Sequence, residues 1–263
     1  MIDFSHWIPS AAYLLAGAVY LWQILSPRET ERRWVGAWCL GATGLHLVQI
    51  LTTALVRQRF PYATMWEAIS VAVAVLMLSY ILLERLARSE ALGHPFLFLA
   101  ALGTAFSALH TEPAQWPIHV QSGLFLTHVS LGVSGLALLT ASSLLAAAWL
   151  WQYRQLRTKR FTSLSRRVPD LVTLDRLFLA ASSVGAVLLA LGGALGLFWM
   201  NAWNLPMTNA TGKSVTVIIA LLWNAAIALL RQRGQFSSRA TARWGLAGIV
   251  HVLLVLWAGT RGF

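Results

Sequence analysis

Eight stretches of this chain, at roughly 8–26, 34–56, 66–84, 94–110, 123–152, 175–200, 214–230 and 244–260, are too continuously apolar to face water. Most are long enough to cross about 30 Å of hydrocarbon as α-helix, which rises about 1.5 Å per residue. Lipid offers no partner to a bare backbone amide, so each run must satisfy its own N–H and C=O groups, and a helix does so within one segment. The expectation is one integral membrane domain over 1–263, an all-α polytopic transmembrane helical bundle of about eight helices. Composition agrees: 57% of residues are hydrophobic and 11% charged, with a mean hydropathy of +0.64, outside the usage of soluble domains. The opening MIDFSHWIPS carries an acid where a secretory leader has basic residues, and no small-residue cleavage site closes the first run. That run is expected to remain as a helix.

The 20 Lys and Arg residues set the orientation, because cytoplasmic loops retain positive charge. Sixteen fall in alternate loops: Arg28, Arg32 and Arg33; Arg85 and Arg88; Arg154, Arg157, Lys159, Arg160, Arg166, Arg167 and Arg176; Arg231, Arg233, Arg239 and Arg243. The intervening loops and the C-terminal end hold only Arg57, Arg59, Lys213 and Arg261. Both termini are therefore expected outside the cytoplasm, in a multi-pass membrane protein. A net charge of +11 also raises nucleic acid as a partner, but charge gathered at helix ends is accounted for by topology and anionic lipid, so the expected partner is the bilayer.

Polar residues within the spans are the functional candidates, since burying them in hydrocarbon is costly. The single cysteine, Cys39, supports neither a disulfide framework nor covalent CxxCH attachment of heme. Nine of the 13 Trp residues lie near predicted helix ends, where the ring suits the headgroup region and needs no functional explanation. Among the seven histidines, His6 and His94 lie at boundaries and are set aside as wetted. His110 closes the fourth run, and His119 lies in the loop HTEPAQWPIHVQSG; both could reach a site open to the outer face. The other three are intramembrane. His46 shares a small and polar face with Ala42, Thr43, Gln49 and Thr53. His128, in GLFLTHVSLGVSGLALL, shares a face with Gly132 and Gly135, which leaves either a groove for a flat ligand or a surface for close helix packing. His251 sits among apolar neighbours in GIVHVLLVLW.

Imidazoles without mid-span carboxylates narrow the chemistry. Glu67 opens the third run, and Glu84 and Asp175 sit at inner ends, so metal hydrolysis and carboxylate proton relays lack their usual groups. Heme iron needs only one or two imidazoles in an apolar pocket. No run holds two interior histidines, so any ligands come from different helices. Glu67 is expected at the outer mouth, either orienting Arg57 or Arg59 toward a ligand propionate or standing as an unpaired boundary carboxylate.

Several stretches together resemble the membrane cytochrome c assembly proteins that handle heme, in particular their short HemX-like and YpjD-like members. They are the His in GATGLHLVQI, the WEAIS that opens the third run, LTHVSLGVSGLALLTASSLLAAAWLWQYRQLRTKR with its basic tail, and PDLVTLDRLFLAASSVGAVLLALGGALGLFWM. The resemblance covers most of the chain from about residue 35 onward. It implies noncovalent heme b within the bundle, with His128 and His46 at the family's intramembrane histidines as ligands to the heme iron, His119 at a loop histidine, and other cytochrome c maturation proteins as partners. His251 lies outside the recognised pattern and is a candidate by depth alone. Heme exporters and ligases of the family carry a tryptophan-rich outer segment ending in an Asp-Pro-Lys-type sequence. Here WMNAWNLPMTNATGKSVTVIIALLW keeps Trp199, Trp203 and Trp223 without that sequence or a closing histidine. The expected role is thus accessory heme delivery or cytochrome c maturation, without a catalytic residue of its own. The rival is an integral scaffold or transporter subunit whose histidines only bridge helices.

Overall fold

Each apolar run folds as helix, and the departures from expectation lie at the ends of the runs and within the last one, which is broken at Gly248. The computed structural model describes residues 4–25, 32–62, 64–87, 89, 91–110, 122–160, 162–205 and 211–260. After a 3₁₀ turn at Phe4–Trp7 come α1 (Ile8–Leu25), α2 (Arg32–Val56), α3 (Met65–Ala87), α4 (Gly93–Ala108) and α5 (Gly123–Thr158). These are followed by α6 (Ser163–Arg167), α7 (Leu171–Ala202), α8 (Thr211–Gln232), α9 (Ser238–Ala247) and α10 (Ile249–Thr260). There is no strand among the described residues, and the protein is an all-α polytopic helical bundle. By length and composition Gly36–Val56, Met65–Ala87, Gly123–Thr158, Leu171–Ala202 and Ser214–Gln232 can each cross a membrane, and α4 is a shorter apolar helix.

Most helix ends lie within a few residues of the apolar runs, and two departures carry a physical reason. First, α5 was expected to end near 152 but runs six residues further, to Thr158, because the straight-chain residues of its basic tail are good helix formers. It stops where Lys159 takes a left-handed conformation (φ 53°) and its N–H bonds to carbonyls of the last turn. Second, the eighth run is two helices that meet at Gly248. The Gly248 N–H reaches both Trp244 O (3.2 Å) and Gly245 O (3.1 Å), which tightens the turn. Gly245 O also accepts from the Ser143 hydroxyl of α5 at 3.2 Å, so the ladder is drawn aside where α9 meets α5.

The centre of the bundle is the α5–α7 seam. A Cβ on Gly135 would lie 2.7 Å from Leu189 N and 2.8 Å from Gly185 O, and one on Gly192 would lie 2.8 Å from Gly132 N. Only glycine lets the two backbones approach this closely, the device by which membrane helices gain dispersion contact without a hydrophobic drive. Beside this seam Tyr13, Tyr20, Met77, Tyr80, Phe96, Leu97 and Leu145 fill the core among α1, α3, α4 and α5.

Tertiary contacts sort the two ends of the bundle as the charge pattern does. At one end Arg167 Nη1 donates to Gln23 O (3.0 Å), Arg231 pairs with Asp175 (2.8 Å), and Arg239 lies 5.3 Å over the Tyr153 ring. At the opposite end, here termed the outer end, lie Arg57, Arg59 and Glu67.

Candidate functional site

His46 is completely buried, and both of its ring nitrogens are engaged. Nδ1 lies 3.0 Å from the Tyr13 hydroxyl on α1, and Nε2 lies 2.9 Å from the Ser70 hydroxyl on α3. A neutral imidazole has one donor and one acceptor, and a hydroxyl can be either, so the trio is satisfied in either tautomer. The Tyr13 ring meets His46 edge-on, with centroids 5.6 Å apart. The polar face read from the sequence is real, and it points inward: Thr43 is buried with its hydroxyl on Cys39 O, and Gln49 Nε2 reaches His6 Nδ1 at 2.7 Å.

His128 is held by a different seam. Its Nδ1 lies 2.6 Å from the backbone carbonyl oxygen of Gly192 on α7. A carbonyl can only accept, so Nδ1 carries the proton and Nε2 the lone pair. The ring lies against Gly196, where a Cβ would come within 2.7 Å of Nδ1 and 3.0 Å of Nε2. Phe125 packs near it at 6.3 Å between centroids and contacts Trp199 at 4.9 Å. Of the two outcomes weighed for the glycine face, close packing holds for Gly135, whose side faces the α7 backbone; the Cβ direction of Gly132 meets no atom within 4 Å.

The remaining candidates are dispersed. His251 lies 4.8 Å from the Trp223 ring, centroid to centroid, and its Nδ1 is buried without a hydrogen-bond partner among the described residues. His119 lies outside the described residues. His46 bonds to α1 and α3, whereas His128 bonds to α7, so the two share no partner in these bonds.

A small pocket at the outer end gathers residues that the sequence reading keeps apart. His6, Gln49, Arg57, Trp66, Glu67, Ser70 and His110 all line it. Ser70 joins it to His46, while His110 stacks on Trp66 with centroids 3.8 Å apart. Glu67 is not an unpaired boundary carboxylate. It accepts from Arg57 (2.7 Å) and from both terminal nitrogens of Arg59 (2.7 and 2.8 Å), and only 14% of its side chain is exposed. His6, set aside as a wetted boundary residue, is part of this pocket. No signal along the chain marks it, because its partner Gln49 is brought up from the far end of α2.

Heme, implied by the resemblance, can be tested against these groups. His128 fits an iron ligand: imidazoles that bind metal donate the other ring N–H to a carbonyl or carboxylate, and here that acceptor is present. His46 fits less directly, since ligation through either nitrogen would first break a bond to Tyr13 or Ser70. No group of three or more His, Cys, Asp or Glu side chains converges among the described residues, a number that heme iron does not need.

Comparison with known proteins places these residues in a family. The chain is 22% identical over 195 residues to Protein HemX of Bacillus subtilis (strain 168), covering 72% of this chain and 70% of that protein. It is 29% identical over 138 residues to the Inner membrane protein YpjD of Escherichia coli (strain K12), covering 52% of this chain and half of that relative. A further match, 32% identical over 78 residues, is to Protein HemX of Brevibacillus brevis. The family model described as Cytochrome C assembly protein matches residues 11–258, from the first turn of α1 to the last turn of α10, and the chain belongs to that family.

Proposed function

We propose that this protein binds b-type heme noncovalently within its helical bundle and takes part in heme delivery or cytochrome c maturation at a bacterial inner membrane, as an accessory component and not a complete ligase. Membership of a heme-related membrane family supports the general role. The observation that carries the finer reading is the 2.6 Å bond from His128 Nδ1 to Gly192 O, which leaves the lone pair on Nε2. In this reading His128 is the first iron ligand and His46 the second candidate. Gly132 offers open space on the His128 face, while Gly135 holds α7 in register. His119 and His251 are the remaining candidates, the first from the loop and the second from depth in α10. Bound heme would supply a planar, redox-capable macrocycle; the chain supplies an apolar, aromatic surround and an oriented imidazole.

A visible spectrum of the detergent-purified protein, made with ample heme supply, tests the reading. We expect a Soret band that is lost or shifted in His128→Gln, in a variant that keeps the helical signal of the parent. His46→Gln should alter the band as well if two imidazoles hold the iron. Normal spectra in both variants would remove the assignment.

A second reading is favoured by one specific observation: His46 is fully buried with both nitrogens hydrogen-bonded to neighbouring helices. Here the protein is a membrane scaffold or transporter subunit whose histidines join helices. Absence of Soret absorbance from the wild-type protein would bring that reading forward.

A further inference from the structure

We infer that Gly192 and Gly196 on α7 are positioning residues for His128, fixing both the tautomer and the plane of its imidazole. The inference rests on the reading of His128 as an iron ligand, but the orientation it describes belongs to the chain itself.

Two independent contacts meet at one turn of α7. The Gly192 carbonyl receives the His128 Nδ1–H at 2.6 Å, while in the helix ladder the same oxygen is the acceptor for the amide of residue 196. A carbonyl has two lone pairs, so it can serve both donors. The second contact is steric. A side chain at 196 would start within 2.7 Å of Nδ1 and 3.0 Å of Nε2, in the space the ring occupies, so the ring sits against the bare backbone only because residue 196 is glycine. Gly192 in turn brings the helices close enough for the bond. A Cβ there would lie 3.2 Å from the His128 carbonyl oxygen and 2.8 Å from Gly132 N, too near for α5 and α7 to keep their spacing. Neighbouring Gly193 differs, since a Cβ on it meets only Val217 Cγ1 at 3.6 Å, an ordinary van der Waals distance. Position 196 is thus specifically required by the imidazole, whereas position 193 is not.

The consequence is chemical. With Nδ1–H committed to a backbone carbonyl, the ring cannot exchange tautomers without losing a short bond in a medium where a replacement partner is scarce. The lone pair is thereby held on Nε2, and the hydrogen bond raises the basicity of the ring toward a metal.

The test has a heme-free arm and a loaded arm. In the wild-type protein labelled with ¹⁵N-histidine and purified without heme, the His128 signals, identified by their loss in His128→Gln, should show a protonated Nδ1 and an unprotonated Nε2. An Nε2–H tautomer there would overturn the proposal, whatever any variant does. Gly196→Ala should move those signals to a mixture of tautomers and Gly193→Ala should leave them as in wild type. Unchanged His128 signals in a folded Gly196→Ala protein would also overturn it. In the loaded arm, Gly196→Ala should weaken heme retention about tenfold or shift the Soret band, and Gly193→Ala should do neither. If wild type shows the Nδ1–H tautomer but takes up no heme, the heme reading fails while the positioning role stands.

Discussion

Replacing Tyr13 with Phe removes one hydroxyl and leaves His46 Nδ1 without the partner it has at 3.0 Å. An interhelical hydrogen bond in a membrane bundle contributes about 0.5–2 kcal/mol, so Tyr13→Phe should lower the thermal unfolding temperature in detergent by a few degrees. It should leave the His128 signals untouched, because the two histidines bond to different helices. Glu67 answers to both Arg57 and Arg59 at low exposure. Glu67→Gln would leave two guanidinium groups sharing a neutral amide, and destabilisation of about 1–2 kcal/mol is expected, between the values of exposed and buried pairs. Chemical denaturation of the purified protein would check this, and an unchanged midpoint would mean that water already screens the trio. Asp170 shows the same logic at a helix start. The Thr173 backbone N–H, with the Thr173 hydroxyl and the Val172 N–H, holds its carboxyl below the usual carboxylate range. A depressed folded-state value means that the stabilisation is present above the unfolded value of about 4 and is lost as pH falls through the lower folded value. Asp170→Asn should therefore lessen the acid sensitivity below about pH 4, to the extent that this cap contributes to it.

At the scale of elements, the α5–α7 seam depends on glycines more than on large side chains. Gly185→Leu would place its branched side chain against the Gly135 carbonyl, which already lies 3.0 Å from an added Cβ, and we expect loss of folded protein from the membrane fraction. Gly193→Leu, about two turns away on another face, should accumulate normally, so immunoblots of membrane fractions separate helix packing from mere helix propensity. The break at Gly248 has a comparable origin. Ser143→Ala removes the hydroxyl that donates to Gly245 O, and hydrogen exchange at the α9–α10 junction should then slow toward that of a continuous helix.

The whole molecule gathers Arg167, Arg231 and Arg239 at one end, and its pocket lies at the other, beside Arg57 and Arg59. Reporter fusions after Gln235, between α8 and α9, should be active in the cytoplasm, whereas a fusion at Phe263 should be active outside it. The reverse result would invert every loop assignment and move the Glu67 pocket to the cytoplasmic face. The structure gathers Arg167, Arg231 and Arg239 at the end opposite Arg57 and Arg59, so a single inversion would carry the whole set together.

The sequence by itself determined that the chain is helical and membrane-spanning, since apolar length, backbone self-satisfaction and the distribution of Lys and Arg are local properties that no tertiary contact has to supply. It also singled out His46 and His128, because an imidazole amid apolar residues is conspicuous along the chain. What each imidazole does was decided only by helix packing. His46 faces Tyr13 and Ser70 from α1 and α3, and His128 faces a backbone carbonyl of α7, an acceptor that every residue possesses and no sequence pattern marks. The same holds for the outer pocket, where His6 gains its meaning from Gln49, and for Gly135, whose bare face suits a groove or a helix equally until α7 closes over it. A glycine records only that something comes close; the partner is fixed by the register of the neighbouring helix.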